Sequence, residues 1–208
     1  MKTIIYNADI ANEGRLTRGY IVIDDEIIAE VGEGEPAAAV MAECDVRNDV
    51  DGALVMPGVI DDQVHFRDPG LTHKADIATE SAAAVAGGVT SYMDMPNTVP
   101  PTVTIDALEA KNRRAQEVSV ANYGFFIGAT NDNLKTLMAV DYSYTPGVKL
   151  FLGASTGNML VSDRDALHDI FAEVPALVAI HSEDEQLIRR NREFYIKKYG
   201  DDLPVKFH

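Results

Sequence analysis

Two rhythms divide the chain. Over residues 1–55 apolar and polar positions form short runs separated by turn residues. "TIIYNADI" is an Ile-rich strand pattern, and "GYIVIDDEIIAEVG" reads as strand, Asp-Asp turn, strand, with Gly at both ends. "EGEPAAAVMAECD" reads as loop or short helix, and "DVDGALVMPG" returns to a strand that closes at Pro57-Gly58. These residues predict a small β-sheet module without catalytic features. From Val59 onward apolar runs alternate with helical stretches. "GVIDDQV" precedes the helix "ADIATESAAAVAGG", and "VTSYMDM" precedes "TIDALEAKNRRAQEV". "ANYGFFIGA" precedes "NDNLKTLMAV", "GVKLFLG" precedes "DRDALHDIFAEV", and "ALVAIHSE" precedes "DEQLIRRNREFYIKKYG". Ser162, with Asp165 three residues on, and Asn131 or Asp132 are the expected helix caps.

Five strand–helix units in a row predict an α/β fold with a parallel sheet. An open doubly wound sheet and a (β/α)8 barrel both fit that rhythm. No Gly-x-Gly-x-x-Gly follows the early strands, which weakens a dinucleotide fold. Polar residues recur at successive strand C-termini: Gln63 and His65, Asp94 and Asn97, Lys149, His181. Barrel enzymes build their sites there. A barrel needs eight units and about five are recognisable. The expectation is therefore that these 208 residues are the N-terminal portion of a longer protein, or that other material completes the barrel.

Composition narrows the function classes. An apolar fraction of 46% allows a substantial core. A formal net charge of -15 argues against nucleic acid, whose phosphates need clustered Lys and Arg. The single cysteine, Cys44, cannot form an internal disulfide and suits a reducing, cytoplasmic setting. The start of the chain lacks a signal-peptide pattern, and no segment approaches the about 20 apolar residues of a membrane span.

The candidate chemistry lies in "MPGVIDDQVHFRDPG" and the later strand ends. In a regular strand Asp61, Gln63 and His65 share one face. An imidazole is a good zinc ligand and a glutamine carbonyl a poor one. Taken alone "QVH" is a weak signal, and a hydrogen-bonded histidine near a strand end is the reading it favours. Lys149 sits in the apolar run "GVKLFLG". A buried lysine is costly unless paired or modified, and carbamylation by CO2 would make it an anionic ligand. A lysine whose tip reaches solvent is the alternative. His181 ends "ALVAI", ahead of the acidic "SEDE", as a ligand or a satisfied core histidine. Arg67 and Asn97 could grip a carboxylate and an amide. His73, His168 and His208 read as ordinary loop, helix and terminal residues.

In order, these residues resemble the dihydroorotases of the amidohydrolase superfamily. "MPGVIDDQVHFRDPGLTHKADI" is similar to the block with the His-x-His-x-Arg core, and "AAVAGGVTSYMDMPNTVPPT" to the second block. There Met-Pro-Asn-Thr distinguishes the family from hydantoinases and allantoinases. "VKLFLG" and "AIHSEDE" resemble the blocks of the carbamylated lysine and the third metal histidine. The resemblance implies a small N-terminal β-sandwich module, residues 1–55, beside an amidohydrolase-type TIM barrel whose N-terminal part is residues 56–208. It implies zinc-dependent, reversible cyclisation of N-carbamoyl-L-aspartate to dihydroorotate in pyrimidine biosynthesis. His65 would bind the first zinc, carbamylated Lys149 would bridge as a catalytic ligand, and His181 would bind the second. Arg67 and Asn97 would hold the substrate's carboxylate. Gln63 stands where the family has its leading histidine and weakens the first of one or two zinc positions. The family's fourth histidine and catalytic aspartate belong to later strands, so this segment alone is expected to be inactive. The implied partners are a small-molecule substrate and further copies in a homo-oligomer, with no nucleic acid or membrane. The alternative is a catalytically inactive subunit that scaffolds aspartate transcarbamoylase. A hydrolase of another cyclic amide, such as a hydantoin, fits "MPNT" less well.

Overall fold

In the computed structural model, residues 1–153 and 159–207 are described. The chain divides into two compact units, Met1–Gly58 and Val59–His208. The first contains β1 (Lys2–Asn12), β2 (Arg15–Asp24), β3 (Ile27–Glu33), α1 (Ala38–Glu43), β4 (Val46–Asp49) and β5 (Leu54–Val55). They make one sheet in the order β3-β2-β1-β4, with β5 also on β1. Pairing of β1 with β2 and of β2 with β3 is antiparallel, whereas β4 and β5 run parallel to β1. The alternation seen in the sequence buries Ile4, Tyr20 and Val22 against Cys44 beside α1. Cys44 is buried and reduced, its thiol 3.3 Å from the Val40 carbonyl.

The second unit repeats strand and helix. β6 (Val59–Val64) leads to α2 (Ile77–Ala86), and β7 (Val89–Asp94) to α3 (Ile105–Val118). β8 (Asn122–Phe125) and β9 (Ile127–Gly128) precede α4 (Leu134–Met138). β10 (Val148–Phe151) leads to α5 (Arg164–Glu173), and β11 (Val178–His181) to α6 (Glu185–Tyr199), followed by a 3-10 turn at Val205–Phe207. All strand pairs here are parallel, in the orders β6-β7-β8 and β9-β10-β11. Only Phe126 separates β8 from β9, and its N–H donates to the Asp94 carbonyl at 3.1 Å. The described strands thus follow sequence order without the reversal of a doubly wound sheet.

Alternation decides which strand residues meet the helices. Val148 and Leu150 of β10 pack with Leu137 and Ile170 from α4 and α5, so Lys149 and Phe151 occupy the opposite face. Tyr92 of β7 packs with Ile77 and Leu108 from α2 and α3, and Asp94 shares its face. Complete burial of a side chain such as Leu150 stabilises the fold by about 1.5–3 kcal/mol. The helices begin at side-chain caps: Asp76, Thr104, Asp163 and Asp184 accept from N–H groups of their first turns. Two expected caps move. Asp163, not Ser162, caps α5 by accepting from Asp165 and Ala166. Asn131 instead accepts from the N–H groups of Ser162 and Asp163, tying the β9–α4 loop to the start of α5. The N-cap position of α4 is Asn133, whose side chain bonds Thr130, Val103 and Gly128 rather than its own helix. Among the described residues no helix is long and apolar enough to cross a membrane.

Candidate active site

His65 follows β6, and its half-buried ring lies against the loop after β7. Nδ1 is 2.8 Å from Asn97 Oδ1. An amide oxygen only accepts, so Nδ1 carries the proton and Nε2 keeps a lone pair. Burial pushes the imidazole below its ordinary value of 6.5; the Asn97 bond opposes that, and the charges of Arg67 and Lys149 add to the lowering.

Arg67 adopts φ +62, a left-handed conformation that costs a non-glycine residue about 1–2 kcal/mol. Its carbonyl is anchored by the Leu71 N–H at 3.0 Å, and the preceding Phe66 N–H by Asp94 Oδ1 at 3.0 Å. The same loop then packs on the β7 loop. Val99 N–H donates to the Pro69 carbonyl at 3.2 Å. Gly70 has φ +82, and a Cβ there would lie 1.8 Å from the Val99 carbonyl oxygen, so only glycine fits.

Behind these loops lies a buried ion pair. Lys111 Nζ of α3 is 2.6 Å from Asp94 Oδ2, with both side chains at most 1% exposed. Nζ also donates to the Met95 carbonyl at 3.0 Å and lies 4.9 Å from the centroid of the Phe125 ring. Burial pushes the Lys111 ammonium down and Asp94 opposes the change. One turn on, Arg114 Nε is 3.3 Å from Asp68 Oδ2, a carboxylate that is almost fully buried.

Lys149 is 2% exposed, which removes the reading of a lysine tip in solvent. Among the described residues its ammonium meets the Phe151 ring, 5.2 Å from the centroid, and no carboxylate. Burial lowers its pKa. Phe151 pairs in register with His181, their ring centroids 6.1 Å apart, so Lys149 and His181 flank one aromatic ring. His181 Nε2 is 3.2 Å from Glu183 Oε2, both side chains about two-fifths exposed.

The expectation for β6 needs correction. Its register with β7 breaks between Asp61 and Val64, and Asp61 Oδ1 accepts from the Gln63 N–H at 3.1 Å. That local turn-like bond disrupts the simple alternation that would place Asp61, Gln63 and His65 on one face. Gln63 is exposed and His65 half-buried. His73 is an exposed loop residue, His168 is exposed on α5 beside Asp169, and His208 lies outside the described residues. Sequence reasoning missed Lys111, Asp68, Arg114 and Glu183. Lys111 carried a signal: it lies three residues after Leu108 and four before Ala115, on the helix face that turns inward.

Residues 52–150 match the family model described as Dihydro-orotase-like. The dihydroorotase of Methanosarcina acetivorans is 32% identical over 186 residues, which cover 88% of this chain and 39% of that protein. The dihydroorotase of Halobacterium salinarum is 37% identical over 176 residues, covering 82% of this chain and 41% of that protein. The chain thus spans about two-fifths of the length of these relatives. Among solved structures, an L-hydantoinase (dihydropyrimidinase) from Arthrobacter aurescens superposes with a TM-score of 0.82 at 27% identity, covering 96% of this chain and 44% of that one. With the strand-end residues, the parallel βα order and these matches in hand, the chain belongs to the dihydroorotase-like family of the amidohydrolase superfamily.

Proposed function

We propose that this chain carries metal- and substrate-binding residues of a zinc-dependent dihydroorotase, which interconverts N-carbamoyl-L-aspartate and dihydroorotate in pyrimidine biosynthesis. The observation that carries the reading is Lys149: a buried lysine on the face opposite the helices, beside an aromatic ring and without a carboxylate partner among the described residues. The donor chemistry fits a metal only through that lysine. Among the described residues no three His, Cys, Asp or Glu side chains gather as a metal site requires. Two imidazoles, His65 and His181, need an anionic third donor. Burial favours the neutral amine of Lys149. Its nitrogen can add to the carbon of CO2, forming an N–C bond and releasing one N–H proton to solvent. The resulting carbamate supplies the missing anionic oxygens.

In this reading His65 is preset to bind through Nε2 because Asn97 holds its Nδ1 proton. His181 binds once its Nε2 leaves Glu183. Arg67 binds the substrate α-carboxylate by a charge-assisted pair, and Asn97 lines the same pocket. Bound zinc supplies Lewis-acid polarisation of the ring amide carbonyl. The parallel strands form part of a (β/α)8 barrel, with the first unit as part of a β-sandwich. Apolar side chains left exposed on both edge strands, Val59 and Ile60 on β6 and Ile180 on β11, support such closure.

The second reading, an inactive subunit that scaffolds aspartate transcarbamoylase, is favoured by the exposed Gln63 in the leading-histidine position. A turnover assay of the zinc- and bicarbonate-loaded full-length protein, with the later strands that this segment lacks, against dihydroorotate, hydantoin and allantoin separates the possibilities. Dihydroorotate turnover above the other two is expected. Bound zinc with no turnover on any of them, unchanged in Gln63→His, would favour the scaffold.

A further inference from the structure

We propose that Lys111 is a positioning residue, which from α3 fixes the two loops that carry His65, Arg67 and Asn97. The inference rests on reading those three as site residues. Its basis is the set of bonds converging on one buried ammonium. Lys111 Nζ holds Asp94 Oδ2 at 2.6 Å and donates to the Met95 carbonyl at 3.0 Å. Through its other oxygen, Asp94 accepts from the Phe66 N–H at 3.0 Å. Phe66 lies between His65 and Arg67, and Met95 opens the turn that leads to Asn97. The Met95 N–H in turn donates to the Val64 carbonyl at 3.0 Å. A displacement of Nζ therefore reaches the β6 loop through the carboxylate and the β7 loop through the carbonyl. Both arms meet again at the His65–Asn97 hydrogen bond.

Packing alone does not account for this pair. Lys111 occupies an inward position between Leu108 and Ala115, where an apolar side chain would fill the space without desolvating two charges. Replacing a buried ion pair with apolar groups is often neutral or stabilising. What an apolar residue cannot do is hold a carboxylate and a carbonyl at fixed positions. The left-handed backbone at Arg67, next to the bonded Phe66, is the conformation that needs such a hold. Arg114, one turn further along α3, supports the same loop at Asp68.

The test is nitrogen-15 NMR on histidine-labelled protein, with amide hydrogen exchange, comparing wild type with the double variant Asp94→Asn, Lys111→Met. The double variant removes both buried charges together, so it is expected to fold where Lys111→Met alone leaves an unpaired carboxylate. Wild type should show His65 as one tautomer protonated at Nδ1. In the double variant that signature should average between tautomers, and the Phe66 amide should exchange at least about tenfold faster. A merely structural pair would change the melting temperature and leave the His65 ring unchanged below it. A folded double variant with wild-type His65 shifts and Phe66 protection overturns the proposal. So does a double variant that cannot fold, because the pair would then be required for folding itself. Neither readout depends on turnover, so failure here and failure of the dihydroorotase reading are distinct results.

Discussion

The β6–β7 end of the site is held by buried charge, whereas the β10–β11 end is held by ring contacts and a half-exposed histidine–carboxylate contact. At the first end Asp94, Lys111 and the Phe66 N–H are bonded to one another out of contact with water, and His65 is fixed through Asn97. At the second end Lys149 and His181 share the Phe151 ring, and His181 also reaches Glu183 at the surface. The difference follows from where each side chain points. Asp94 lies on the helix-facing side of its strand and finds Lys111 there. Lys149 lies on the opposite side, away from α4 and α5, and meets no carboxylate among the described residues. One end is organised by the protein itself. The other holds a buried lysine beside an aromatic ring with no carboxylate partner among the described residues, the position at which the proposed carbamate would form.

Unequal mutations should expose that asymmetry. Lys111→Met should be the most damaging to stability, by about 3–5 kcal/mol, because it leaves Asp94 charged and unpaired in the core. Denaturant unfolding measures it, and Glu183→Gln at the exposed end should stay within about 0.5 kcal/mol of wild type. A small effect of Lys111→Met would mean that water reaches the Asp94 carboxylate and that the two ends are not different in kind.

In the full-length protein, Arg67→Met should leave stability nearly unchanged and raise the substrate KM by an amount corresponding to about 1.5–3 kcal/mol, with metal content intact. Steady-state kinetics and elemental analysis on the same preparation check both parts. Asn97→Ala should weaken metal binding about 10–100-fold at the His65 position by freeing the imidazole. Competition with a chromophoric chelator reads this, and equal affinity would make Asn97 a substrate contact alone.

The smallest effect concerns pH. His65 is held below 6.5 by burial, partly offset by Asn97. Between its folded value and 6.5 the unfolded chain binds a proton that the folded chain does not, so stability rises with pH across that window and this contribution is flat above it. Partial exposure screens the effect and keeps it small. His65→Asn should remove that slope from the stability curve just below pH 6.5. An unchanged slope would place its origin in other groups.

Much of this was readable from residue order. The apolar runs of β7, β10 and β11 stand out because parallel strands are covered by helices. Each helix after Val59 coincides with a periodic stretch in the sequence. The expected caps missed by one or two residues among neighbouring Ser, Asp and Asn, all competent acceptors, whose roles depend on loop contacts such as Asn131 with Asp163. Strand alternation failed at Gln63 because a local Asp61 bond breaks the register with β7. The Asp94–Lys111 pair was hidden for another reason. Lysine on a helix normally reads as solvated, and the partner that draws this one inward is distant in sequence. The fates of Lys149 and His181 also depended on tertiary surroundings. Their strand-end positions were visible, but burial of one and exposure of the other were not.

The central claim is that Lys149 becomes an anionic ligand. Carbon-13 NMR of the protein equilibrated with labelled bicarbonate and zinc tests it directly, with Lys149→Ala as the control. A slowly exchanging carbamate resonance in the wild type, absent from Lys149→Ala and strengthened by zinc, is the predicted result. Zinc bound to wild type and Lys149→Ala equally, with no carbamate resonance in either, would contradict the account and leave Lys149 as a buried structural lysine.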